Sequence, residues 1–573
     1  MHGRTVFDVG GQVGFRRRRD SALFPLKGAT TMITTSNAKE TSSPASISRR
    51  QFACAAACAF AGAAALPVLA LADQAGGTPP DMPSDGGQGG PGGEPPQGGR
   101  PEGQPGGPGG ADTMTFDYTG TYTAVFTADG QQAAAQGESI EATETDQNAV
   151  LAQNAGVAVL QDCTIAKSGD DIDGDRCNFY GANSIVLSVN EGSQVVLGGC
   201  TLSAASEGSN GVFATDSGVA FVNDCGIDTS AGNSRGLDAT YAGVVVASQV
   251  DIATEGDHCA AVATDRGGGT ISVVGGTFST AGSGSPLLYS TGNIQVNGIV
   301  GTASASQIAG MEGLNTILIN NSELESTNTG LTGSDPVANG VIIYQSTSGD
   351  AEATTGDAAS FQAASSTLKA AITSGTMFYF TNTTANVVLS NTVLDFDSAS
   401  NKLAYVAGND ANNWGTPGSN GAQVNFTATN QQLAGDVCAD TTSSLNLYLL
   451  NGSTWSGSAS IEDNANGATS SAPLSVYVDG SSTWTVTSDA HLSVLGVATG
   501  GGIVDTDGNT VTVVAGGQTV VQGTSNVTVT VDGDYTSDFV MSSANELASE
   551  TYDRSAFDEY FGTSTAWTMG QVA

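Results

Sequence analysis

The sequence predicts an all-β fold: a single-stranded, right-handed parallel β-helix of about 25 residues per coil, with a short C-terminal helix. Three observations lead there. Gly accounts for 77 of 573 residues and only 13% are charged, while Val, Ile and Thr recur in short runs bounded by Gly, Asn and Asp. Such runs read as strands and turns. A unit of apolar-x-apolar, a short turn, a small slot residue, x and a further apolar residue repeats along the chain. The slot advances by 37, 25, 25 and 26 residues from Cys163 to Gly276, a register that a β-sandwich with similar turns does not keep over so many units.

Taken in order, the chain begins with an export signal. In "SISRRQFACAAACAFAGAAALPVLALADQA", Arg49 and Arg50 precede an Ala-rich apolar run that ends in the small-x-small site Ala70-Leu71-Ala72. The paired arginines mark a twin-arginine signal over 1–72, with 1–31 an over-long start. No membrane span is then expected in the mature chain. The tract 73–113 is rich in Gly and Pro, cannot bury a core and reads as a disordered linker. The chain thus reads as bacterial and extracytoplasmic, secreted or at the cell surface.

The solenoid is expected over 114–540. Its unit fits Val157-Val159…Cys163-Ile165, Val195-Leu197…Cys200-Leu202, Val219-Phe221…Cys225-Ile227 and Val244-Val246…Val250-Ile252. Later slots are Gly276, Ser322, Ser366 and Thr392, with two coils between Gly276 and Ser322 and an insertion before Ser366. About fifteen coils at ~4.8 Å make a rod of roughly 70 Å. Trp455 and Trp484 take matching positions 29 residues apart and read as core. The segment 541–573 carries Ser543 and Glu546 in capping-box spacing, so a short helix is expected there as a cover for the open end.

Charge excludes one class of partner. Nine of the 17 Lys/Arg but only three of the 56 Asp/Glu fall within 1–72, which leaves 8 basic and 53 acidic residues, a net charge of −45. No basic patch can form on such a chain, and nucleic acid is excluded as a partner. The same acidity invites divalent cations.

The repeat, the Gly/Pro spacer and stretches such as "DRGGGTISVVGGTF", "GNDANNWGTPGSNG" and "NGSTWSGS" resemble secreted right-handed β-helix proteins of gut bacteria, of the adhesin-like kind within the pectin-lyase-like superfamily. The resemblance spans nearly all of 114–535. It implies a non-catalytic surface protein whose partner is an extracellular glycan or a host or cell-surface ligand. The superfamily also contains polysaccharide lyases and hydrolases, so a calcium-dependent enzyme of that class is the alternative, and a structural matrix protein is a third. Galacturonan hydrolases of this fold combine carboxylates with a His and an Arg-x-Lys arrangement. Here "GDD" occurs once, at 169–171, without either.

Candidate site residues follow from these readings. Arg235 and Arg266 lie about one coil apart and can flank a groove, as ligand contacts or as a lyase base. Trp414, in a loop-like Gly/Asn-rich stretch, is a candidate stacking contact for a sugar. Asp171, Asp173 and Asp175 in "SGDDIDGDR" set carboxylates at positions 1, 3 and 5 of a tight loop, the beginning of a calcium cage, although Gly and the closing Glu are out of place. His258 and His491 have no metal-spaced or Ser/Asp partner in sequence and read as structural. The slot cysteines Cys163, Cys200 and Cys225 share their position with Val, Gly, Ser and Thr and read as packing residues. Cys200 and Cys225 stack one strand spacing apart, within disulfide reach, which leaves a bridge and two buried thiols both open.

Overall fold

One backbone position recurs with the coil and shapes it. The residue before each slot is left-handed: Asp162, Gly199, Asp224, Gln249, Gly275, Gly298, Asn321, Ser365, Asn391 and Asn430 have φ between 46° and 71°. Gly, Asn and Asp tolerate this region best, which is why they punctuate the repeat. At this residue the chain leaves one sheet and enters the next. Strand Val219–Thr229 bends at Asp224, so its first half pairs with Gln194–Gly198 and its second half with Thr201–Ala204.

The structure, a computed structural model, describes residues 115–346, 351, 358–412 and 414–572. The export signal expected at 1–72 and the linker at 73–113 lie outside the described residues. The body is a parallel β-helix. Sheet A has thirteen strands, from Thr123–Asp129 to Ala459–Glu462. Sheet B runs from Gln132–Gln136 to Tyr535–Thr536 in fifteen strands, and every pairing along it is parallel. Near the C-terminal end Thr512–Ala515 and Gln518–Val521 pair antiparallel, and buried Val511, Val513, Val529 and Val531 fill the space beneath. Among the described residues no helix is long and apolar enough to cross a membrane.

The register corrects the sequence reading in three coils. Ala158 and Leu160, Ala220 and Val222, and Val245 and Ala247 align with Val195 and Leu197 and enter the core. Val157-Val159, Val219-Phe221 and Val244-Val246 therefore face outward. Strand periodicity is two, so a valine-rich run fits either phase, and a slip of one reverses every side chain. Trp455 and Trp484 are core residues as expected, stacked at 4.8 Å with each indole N–H donated to a glycine carbonyl at 2.9 Å.

The slot is more than a packing position. Its side chain accepts the N–H of the slot residue one coil earlier: Cys200 N–H to Cys225 Sγ at 3.4 Å, and Ile299 to Ser322 Oγ, Ser322 to Ser366 Oγ and Gln431 to Ser453 Oγ, each at 3.1 Å. The left-handed bend takes that N–H out of the ladder, and a short polar side chain satisfies it. Gly276 fills the slot for another reason: its φ is 125°, and a Cβ there would sit 2.0 Å from the Val250 carbonyl oxygen. All six described cysteines are buried free thiols.

The C-terminal segment does not cover the open end. Its capping box joins Ser542 and Asn545, and its helix, Ser555–Phe561, packs through Phe557 against Phe221, far back along the rod.

Candidate functional site

The outer face of sheet A collects most of the chemistry. Its strands point Leu237, Val262, Leu288, Val341 and Phe378 into the core, so the alternate residues Asp238, Tyr289, Ile342, Tyr379 and Tyr405 form an outward row across successive coils. The row is covered near one end, buried in the middle and open at the other.

At the covered end the extra length of the coil after Cys163 forms helix α1, Gly174–Tyr180, which lies on this face. Four rings gather around its last residue, Tyr180. Tyr118 and Tyr241 stack on Tyr180 at 5.1 and 5.5 Å, and Phe116 and Tyr122 pack at the edges. The predicted residues meet here, in roles other than those expected. Asp173 is the N-cap of α1, its carboxylate accepting the Asp175 N–H at 3.1 Å. Asp175 lies in the first turn of α1, Asp173 is its extended cap and Asp171 precedes both, so the three do not sit on one tight loop. Among the described residues no group of three His, Cys, Asp or Glu side chains is arranged to hold a metal ion.

Arg235 does not flank an open groove. It is 8% exposed and clamps α1 from beneath, donating to Asn178 Oδ1 at 2.7 Å and Asp265 Oδ2 at 3.0 Å. Asp238 lies 3.6 Å from the same guanidinium with no hydrogen bond to either carboxylate oxygen. Burial pushes its pKa well up, and the arginine offsets this only in part. Arg235 thus bonds Asp265 directly and stands beside Asp238, an acid whose neutral form burial favours. Arg266 lays its guanidinium 3.6 Å from the Phe179 ring centre, a cation–π contact that fixes the same helix.

In the middle of the face Glu312 is 4% exposed. The hydroxyls of Tyr289 and Tyr344 donate to it at 2.9 and 3.0 Å, and Ser346 donates to its other oxygen. Burial, followed by the Glu312 charge, drives both tyrosine pKa values far up. Tyr344 stacks on Trp414 at 4.4 Å. Trp414 is only 3% exposed, and its carbonyl accepts from Asn409 and Asn420. The loop 408–421 is pinned by this ring, which is closed to a sugar, so Trp414 is an anchor and its expected stacking role is corrected.

At the open end lies a cleft of about 530 Å³ bordered by Leu331, Val337, Thr373, Ser374, Lys402 and Tyr405. Tyr405 stacks on Tyr379 at 5.9 Å and keeps part of its ring in the cleft wall. Lys402 Nζ stands 5.0 Å from that ring and 3.8 Å from Glu462, which also accepts the Tyr405 hydroxyl at 3.3 Å. Apolar surface (Leu331, 63% exposed), a ring, hydroxyls, a cation and an acid therefore converge on one accessible depression. The sequence carries this signal as "LAYV" and "FYFTN", whose single tyrosines, Tyr405 and Tyr379, pair across adjacent coils and face outward. His491, expected to lack a partner, pairs with Asp532 at 2.8 Å on the exposed surface at the far end. No protein-family model matches this sequence, and a search of curated proteins finds no relative.

Proposed function

We propose that the chain is a secreted or cell-surface β-helical protein of the adhesin-like, pectin-lyase-like kind, which binds carbohydrate without catalysis through the cleft on sheet A. The observation that supports this most directly is the Tyr405 ring beside Lys402 and a rim of hydroxyls. Sugars present an apolar ring face and a fringe of hydroxyls, and this wall offers a complement to each. The buried acids elsewhere on the face support a binding role as well. Glu312 and Asp265 are each tied into buried hydrogen bonds or an ion pair that fix loops, whereas a general acid or base must reach its substrate.

The test is binding to a glycan array and to mucin, with and without calcium, for the wild type, Tyr405→Ala and Lys402→Ala. Both variants should lose at least about tenfold in affinity, or ~1.4 kcal/mol, while thermal unfolding stays close to wild type. Retained affinity in both places the ligand elsewhere. Release of new reducing ends or unsaturated sugars replaces the reading with an enzyme, and no binding to any surface favours a structural matrix protein.

A further inference from the structure

The outward row of sheet B is unlike an ordinary solvent face. Across successive coils it includes Phe221, Ser272, Gln295, Leu318, Gln362 and Thr427. The C-terminal segment runs back along this row, and its contacts descend in order. Thr427 Oγ1 accepts from the Asn545 side chain at 2.8 Å, Gln362 Oε1 from the Ala548 N–H at 2.7 Å, and Gln295 Oε1 from the Tyr552 N–H at 2.7 Å. Arg554 follows, 1% exposed, donating to Ser272 O and Oγ at 2.8 and 2.9 Å and to Ala247 O at 2.8 Å. Phe557 then reaches Phe221. The chain returns so that Trp567 and Met569 pack on Leu318 and Ala364, and Gly570 N–H donates to Asn320.

We propose that residues 542–571 are a clasp, which locks the coils from Phe221 to Thr427 in register once this segment has docked. Two features carry this. The polar members of the row are matched one to one by donors of the tail, so the groove is built for this segment, and loose apolar cover would not need such matching. The coils of a solenoid touch only their neighbours and open independently from weak points. A strap fixed at spaced coils couples those openings. Arg554 is its pin: a buried guanidinium whose donors go to backbone carbonyls of two different coils and to the Ser272 hydroxyl.

Hydrogen exchange on the full chain tests the clasp, using Arg554→Ala and the double variant Gln295→Ala/Gln362→Ala. The glutamine pair lies outside the core, so it decides the matter should Arg554→Ala fail to fold. Amides of 545–556 should exchange at least tenfold faster in the variants. The coils between Phe221 and Thr427 should then open separately from the rest, seen as two unfolding transitions where the wild type has one. Unchanged tail protection in the glutamine variant, or a single coincident transition despite a released tail, overturns the proposal.

Discussion

The outer faces of sheets A and B start from the same backbone and end in opposite states. On sheet B the outward row is covered by the chain's own tail, so apolar residues such as Leu318 (3% exposed) and Val388 (1%) are buried on what would otherwise be the solvent side. On sheet A, α1 and the loop 408–421 bury parts of the row but leave the cleft beside Tyr405 accessible. A solenoid supplies identical ladders on every face. What differs is which insertion or terminus lies down on each one. One face is thereby covered and the other keeps an accessible cleft.

The largest expected effect comes from uncovering the closed face. Trp567 is 7% exposed against Leu318 and Ala364. Trp567→Ala should destabilise tail docking by about 3 kcal/mol through lost burial and the cavity left behind. Exchange at 564–571 reads this directly, and glycan binding should not change. If both fall together, the two faces are coupled and the comparison fails.

A smaller effect separates the faces by pH. Asp335 sits in the segment that supplies Pro336 and Val337 to the cleft wall. Burial pushes its pKa up to about 7, against a weaker opposing hydrogen bond from Asn339. Between about pH 4, where an unfolded aspartate titrates, and pH 7 the native state holds a proton that the unfolded state has lost. Stability of this wall must therefore fall as pH rises through that window. Asp335→Asn should remove the slope and stabilise the protein by about 2 kcal/mol at pH 8. Denaturation midpoints across pH 4–8 check it, and a variant with the wild-type slope would reject the assignment.

The coil was legible because it is written redundantly. The left-handed bend favours Gly, Asn or Asp, the slot favours a small residue, and both recur. The phase of Val157-Val159 and Val219-Phe221 was not legible, since both parities of those runs are apolar. That ambiguity was itself the trace of the tail: outward Phe221 and Val246 are tolerated because α2, the helix Ser555–Phe561, and Arg554 cover them. The candidate site was less legible still. Arg235, Arg266 and Asp173 do meet at one place, but as fasteners of α1, because short-range spacing says nothing of which face an insertion will choose. Tyr289 and Tyr344, and likewise Tyr379 and Tyr405, are far apart in sequence and become neighbours only through coil stacking.

The smallest effect returns to the slot. Cys225 accepts the Cys200 N–H with sulfur at 3.4 Å, where Ser322, Ser366 and Ser453 use oxygen at 3.1 Å. If the position only packs, Cys225→Ala and Cys225→Ser should cost about the same, since both shrink the side chain. If it satisfies a stranded donor, they diverge. Alanine leaves the Cys200 N–H buried without a partner, a penalty of about 1–2 kcal/mol, whereas serine restores an acceptor and should stay within about 1 kcal/mol of wild type. Midpoints of chemical unfolding distinguish the two, and equal losses would return the slot to plain packing.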